Sequence, residues 1–169
     1  MILSNANNAL PHLGAARDVA LNALLHLGHA RDVALEELER WGVALGAVLP
    51  RPVVITLQGD LGAGKTTLAR ALCRGLGVID VTAVTSPTFA ILQQYEAPNG
   101  PIVHADLYRL RNEAELDALG WDEIVANARV LIVEWPERTT RPWPTGTIAI
   151  SLAYPTAGLL TRTVRARQL

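Results

Sequence analysis

The sequence predicts an α/β fold: a mostly parallel open sheet flanked by helices, with antiparallel additions. Three observations predict it. Val53-Val54-Ile55-Thr56-Leu57 and Val130-Leu131-Ile132-Val133 are short, apolar, β-branched runs that read as buried strands of a parallel sheet. Stretches with helical spacing flank the first of them. Between that strand and the helix after it lies Gly59-Asp60-Leu61-Gly62-Ala63-Gly64-Lys65-Thr66, which fits Gly, four residues, Gly-Lys-Thr.

Strand, glycine loop and helix in that order are the context in which such a loop binds phosphates, so the fold reads as P-loop NTPase-like. Leu68, Ala69, Leu72 and Leu76 recur at helical spacing after the loop, and Gly75 and Gly77 mark the stop. A helix that begins at the loop turns its free N–H groups and positive dipole end towards an anion. Gly62 and Gly64 permit the positive φ and close approach that the loop needs. The Thr66 hydroxyl is placed to bind Mg²⁺. The chain has 15 basic residues, and Lys65 is its one lysine. A compact ammonium on a flexible stem can reach between the β- and γ-phosphates, where a planar guanidinium would crowd the loop.

At 169 residues and 18.2 kDa, with half its residues apolar, the chain suits one domain with an adequate core. A net charge of −1 supplies no global basic field for nucleic acid or membrane. The charge is unevenly placed. Glu113, Glu115, Asp117, Asp122 and Glu123 fall within 113–123, while Arg138, Arg141, Arg162, Arg165 and Arg167 occupy a C-terminal stretch without acids. Each run is a solvated face or a docking surface for a partner or RNA. Cys73, the single cysteine, reads as a small buried side chain. No apolar stretch is long enough to span a membrane, and the N-terminus lacks a secretory pattern, so the expected setting is cytoplasmic.

Residues 1–32 read as an N-terminal extension, helical or partly disordered, and 33–169 as the P-loop ATPase domain. Residues 12–21 recur as 26–35 with nine of ten positions identical, a spacing of 14 that preserves helical periodicity. The histidines there have no further residues at metal-ligand spacing. Leu35, Leu38, Trp41, Leu45 and Val48 form a helical stripe ended by Pro50 and Pro52. Residues 89–95 alternate as a strand, turn at Ala97-Pro98-Asn99-Gly100-Pro101, and return over Ile102–Tyr108 as a hairpin. Residues 113–127 read as short helices broken at Gly120, and Thr147–Leu152 with Leu160–Arg167 as a final strand pair.

A phosphate loop needs an acid at the end of a neighbouring strand to hold Mg²⁺ and its waters. Glu134 ends the second buried strand, at the sheet's C-terminal edge where open α/β sheets bind ligands. Asp106 ends another strand-like stretch. It is open to three readings: binding Mg²⁺ through water, orienting the attacking water, or a cap or salt bridge with Arg109. Trp135 either packs under the loop or sits near nucleotide or partner. Thr85-Ser86-Pro87-Thr88 is a plain turn or a loop that senses the γ-phosphate. Asp60 caps a backbone N–H or orients water.

Four ordered motifs, Gly59 to Thr67, Ser86-Pro87-Thr88-Phe89, His104-Ala105-Asp106-Leu107-Tyr108-Arg109 and Val133-Glu134-Trp135-Pro136, together resemble the bacterial TsaE (YjeE) family. That family is the ATPase component of tRNA threonylcarbamoyladenosine synthesis. The resemblance runs from about Ala34 to the C-terminus and includes Glu36-Glu37-Leu38-Glu39. It implies a cytoplasmic protein that binds ATP and hydrolyses it slowly with Mg²⁺, resetting a complex of TsaD and TsaB, with tRNA met indirectly through that complex. Residue by residue, Gly62, Ala63, Gly64, Lys65, Thr66 and Thr67 match the phosphate cradle, and Thr66 and Glu134 the magnesium positions. Asp106 and Trp135 match positions needed for turnover or nucleotide response. Lys65, Asp106 and Glu134 are therefore the expected catalytic residues. Two rivals stand: a binding switch without turnover, and a small-molecule kinase, against which no closely spaced arginines follow the acidic strand. A GTPase would need Asn-Lys-x-Asp, and the chain has no second lysine to make it.

Overall fold

The computed structural model describes residues 20, 30–87, 89–155 and 161–169. Residues 1–19 and 21–29 of the expected extension, Thr88 and the tip of the last hairpin lie outside the described residues. Seven strands form one sheet: β1 (Arg31–Ala34), β2 (Val53–Gln58), β3 (Leu92–Tyr95), β4 (Ile102–Asp106), β5 (Val130–Glu134), β6 (Ile148–Ala153) and β7 (Thr161–Gln168). Their order is β1-β7-β6-β2-β5-β4-β3. The four central strands, β6, β2, β5 and β4, run parallel. Antiparallel strands finish both edges, β3 on β4 and the β6–β7–β1 meander.

Helices cover both faces. On one lie α1 (Leu35–Val48) and α2 (Lys65–Leu76); on the other, α3 (Glu113–Ala118) and α4 (Trp121–Asn127). Burial follows strand alternation: Ile55 and Leu57 enter the core under α1 and α2, while Val54 faces Trp121, Leu116 and Leu131. Helix α2 ends where Gly77, at φ 93°, donates its N–H to Arg74 O and Val78 donates to Cys73 O. Helix α1 lies directly on α2 because glycines line the crossing. A Cβ on Gly75 would stand 2.1 Å from Val43 O, and one on Gly46 2.4 Å from Leu72 O. The helix that carries the glycine loop is thus braced backbone to backbone.

Two elements differ from the sequence expectation. Strand β1 starts at Arg31, so Arg31 and Asp32, which the sequence places in the extension, pair with β7. Only Val33 of its four residues is buried, and so short a segment carries no readable period. The strand expected over 89–95 begins only at Leu92. Residues 89 and 90 form a turn, and Ile91 takes a left-handed φ of 65°. Its N–H donates to Pro87 O at 2.7 Å, and its carbonyl accepts from Asp106 N–H at 2.9 Å. A β-branched residue rarely adopts that conformation, so propensity argued for continued strand.

Candidate functional site

The parallel register sets Leu57 beside Glu134 and Glu134 beside Asp106, at the C-terminal ends of three adjacent strands. The glycine loop leaves β2 at the same edge. Gly59, Gly62 and Gly64 have φ of 148°, 77° and 104°, and α2 opens at Lys65 with the loop amides ahead of it. A cavity of about 510 Å³ forms there, lined by Leu61, Gly62 and the run from Gly64 to Thr67, by Ser86, Phe89, Asp106 and Tyr108, and by Arg109, Glu134 and Trp135. A larger groove, about 830 Å³, lies at the other end of the sheet among Pro50, Pro52, Trp121 and Gln168. It has none of the loop, lysine or strand-end acids, which gather at the smaller cavity.

Every expected site residue borders or enters that cavity except Ala63, which is buried behind the loop. Lys65 Nζ donates to the carbonyls of Gly59 at 2.7 Å and Asp60 at 2.9 Å. It also lies 3.8 Å from the centroid of the Trp135 ring. Burial lowers the Lys65 pKa from its ordinary 10.5, opposed by the carboxylates of Glu134, Asp106, Glu137 and Asp60. Thr66 Oγ1 donates to Glu134 Oε2 at 3.1 Å. That hydroxyl and carboxylate form an oxygen pair of the kind a hard divalent cation takes while keeping most of its waters. Among the described residues no cluster of three His, Cys, Asp or Glu offers an all-protein cage. A cation here would therefore share its coordination with ligand oxygens and water.

Asp106 is buried, accepts from Tyr108 N–H at 2.9 Å through Oδ1, and accepts from Ser86 Oγ through Oδ2. The loop at 85–87 is thereby tied to the strand-end acid. Trp135 holds a left-handed φ of 59° outside glycine, a conformation that costs of order 1–3 kcal/mol. Its N–H donates to Leu57 O at 3.2 Å, and its ring meets Tyr108 at 4.9 Å between centroids. The strained backbone carries the indole back over Lys65 instead of away from the sheet. Arg109 stacks 4.1 Å over the exposed Phe89 ring, and Arg138 lies 5.4 Å over Tyr108.

Sequence reasoning missed His104. Its imidazole is fully buried, and Nε2 lies 3.0 Å from Glu134 Oε1. Tyr95 Oη is 3.5 Å from Nδ1 and donates to Gln93 Oε1 at 2.9 Å. The residue stood inside a recognised motif, two positions before Asp106, where strand alternation puts both on one face; that was the available signal. The acidic run at 113–123 is largely engaged within the molecule. Glu113, Asp117 and Asp122 all bind Arg141, and Glu115 pairs with Arg111.

Comparison with known proteins agrees with this architecture. The family model described as "Threonylcarbamoyl adenosine biosynthesis protein TsaE" matches residues 33–164. A tRNA threonylcarbamoyladenosine biosynthesis protein TsaE from Synechocystis sp. is 43% identical over 104 residues, 59% of this chain and 64% of that protein. The match therefore spans a little under two thirds of that relative. The Treponema pallidum protein of the same name is 38% identical over 113 residues, 67% of this chain and 82% of its own. The crystal structure of Bacillus subtilis YdiB, 30% identical, superposes with a TM-score of 0.57 over 80% of this chain and 84% of its own. No helix among the described residues is long and apolar enough to cross a membrane. A family match over most of the chain, with relatives of one name and a related fold, shows that this protein belongs to the TsaE family of tRNA threonylcarbamoyladenosine biosynthesis.

Proposed function

We propose that the chain binds ATP with Mg²⁺ in the loop cavity, hydrolyses it slowly in the cytoplasm, and uses that cycle to reset TsaD–TsaB between rounds of tRNA modification. The observation that carries this reading is the Thr66–Glu134 pair, 3.1 Å apart, beside Lys65 at the start of α2. Thr66 and Glu134 would hold the Mg²⁺, which would supply positive charge to offset the negative charge that builds as the terminal phosphate leaves.

The residues divide the remaining tasks. The amides of Gly62 to Thr67 cradle the phosphates. Lys65 exchanges the carbonyls of Gly59 and Asp60 for phosphate oxygens, and its protonated form is favoured there by the added negative charge. Thr66 and Glu134 hold the metal. Asp106 or Glu134 orients water for in-line attack. Arg109 and Arg138 flank the cavity mouth as cations that a partner could swing inward, an addition worth about 10³–10⁵-fold where an arginine finger acts. Slow hydrolysis in isolation follows, and tRNA would be met only through the partner complex.

The test is ATP hydrolysis by the full chain alone and with purified TsaD–TsaB, with Lys65→Ala as control. Weak activity that rises with the complex and disappears in the variant supports the proposal. Substantial activity indifferent to the complex would detach the ATPase from these partners. Bound ATP without turnover under either condition would leave a binding switch.

A further inference from the structure

We infer that the β6–β7 hairpin is an outer clamp on the phosphate loop, and that Tyr154 and Arg162 are positioning residues for the nucleotide. The inference rests on the nucleotide-binding reading above and assigns a task to residues outside every recognised motif. Tyr154 follows β6, and Arg162 stands near the start of β7. Tyr154 Oη donates to Leu61 O at 3.2 Å. Arg162 Nε donates to Ala63 O at 3.1 Å, and Nη2 reaches to 3.5 Å from Gly62 O, a long contact. Three successive loop carbonyls are thus approached from outside by one hairpin. The clamp is itself held: the Arg162 guanidinium lies 4.6 Å over the Tyr154 ring, and Nη1 donates to Thr161 O at 2.8 Å.

A trans peptide is planar, so the carbonyl of one residue and the N–H of the next point in opposite directions. Holding the carbonyls of Leu61 and Ala63 outward turns the N–H groups of Gly62 and Gly64 to the opposite side, where phosphate oxygens would lie, while the Ala63 N–H closes a turn on Asp60 O at 3.1 Å. Gly62 and Gly64 have the conformational freedom to flip those peptides, so the loop needs an external restraint to present them together. The Tyr154 hydroxyl lies directly against the loop: a Cβ on Gly62 would stand 2.6 Å from Tyr154 Oη. Neither Arg162 nor Tyr154 lines the loop cavity. Their effect is to remove the ordering cost from nucleotide binding.

The experiment is titration of the full-length protein with ATP and with ADP, comparing wild type, Tyr154→Phe, Arg162→Met, Arg162→Lys and Lys65→Ala. It is read together with thermal stability and with amide hydrogen exchange over residues 60–66. Tyr154→Phe is expected to weaken both nucleotides about fivefold, the scale of one neutral hydrogen bond, and Arg162→Met, which removes a charged donor, by more, each with faster exchange in the loop of a protein that still unfolds cooperatively. Arg162→Lys is expected to recover part of the loss. KM for ATP should rise while kcat holds. Tyr154→Phe deletes one oxygen, so it remains informative if Arg162→Met folds poorly. Wild-type affinity in both Tyr154→Phe and Arg162→Met, with Lys65→Ala impaired, would overturn the clamp and leave the nucleotide reading intact. Failure of the wild-type chain to bind either nucleotide would overturn both.

Discussion

Replacing His104 with Phe tests the buried centre of the site. Phenylalanine keeps a planar aromatic ring, somewhat larger than imidazole, and removes both nitrogens, so the variant tests chiefly the loss of the polar contact. What changes is Glu134: it is 2% exposed, and its Oε1 loses the partner at 3.0 Å. A hydrogen bond to a charged group contributes about 1.5–3 kcal/mol, and a buried carboxylate oxygen left without its donor costs a similar amount. For a domain of this length each kcal/mol moves the melting temperature by about 2–4 °C, so a fall of roughly 3–12 °C is expected. The carboxylate, released on one side, should also hold Mg²⁺ less well, and lost outer hydrogen bonds of this kind cost about 10- to 100-fold in metal affinity. The assays are thermal unfolding and the Mg²⁺ dependence of ATP binding. His104→Gln, which can offer an amide N–H to Glu134, should recover most of both. A Phe variant that melts with the wild type and has the same Mg²⁺ dependence would refute the reasoning.

Gly75→Ala drives a Cβ to 2.1 Å from Val43 O, where only backbone movement relieves it, and should destabilise the protein by about 1–3 kcal/mol or more in urea titration. Burial pushes the Cys73 thiol up to about 12, so thiol reagents at pH 8 should label unfolded protein only. Because burial lowers the Lys65 pKa, ATP affinity should begin to fall with rising pH before the ordinary 10.5, and affinity flat to that pH would contradict it. The same shift means the unfolded chain binds more protons in that window, so its contribution to stability rises with pH there. Asp106→Asn should retain ATP and lose turnover, whereas Glu134→Gln should lose Mg²⁺-dependent binding; equal losses in both would erase the distinction between them.

What was legible in the sequence is what local chemistry dictates. The runs Val53–Gln58 and Val130–Glu134 and the helix Lys65–Leu76 announce themselves because strand burial, glycine spacing and helical period all fall within a dozen residues. Glu134 and Asp106 followed from where those strands end. What was hidden depends on register or on distant pairing. His104 meets Glu134 only because β4 and β5 pair in parallel, a relation between residues 30 apart. Tyr154 and Arg162 reach the glycine loop across 93 and 99 residues, from a segment that reads as an ordinary turn and strand. Ile91 and Trp135 were opaque for a different reason. Their positive φ runs against residue preference, and only surrounding hydrogen bonds can enforce it.

Those two strained residues bear on how the acids divide their work. Glu134 and Asp106 sit side by side in register, both buried on the face towards α2, yet their partners differ. Glu134 faces Thr66 and His104, fixed elements of a helix and a strand. Asp106 faces Ser86 and the Tyr108 amide, and the segment between Ser86 and β3 passes through Ile91, whose carbonyl is bound by the Asp106 amide. A carboxylate held by rigid elements suits a constant task such as metal binding. One tied to an irregular, strained loop suits a task that changes as that loop moves, such as aligning water once a γ-phosphate or a partner reorders residues 85–87. Trp135 follows Glu134 directly, and its left-handed backbone places the indole over Lys65 at 3.8 Å. If Lys65 moves towards a bound phosphate that contact loosens, so Trp135, the residue after Glu134, would register whether the site is filled.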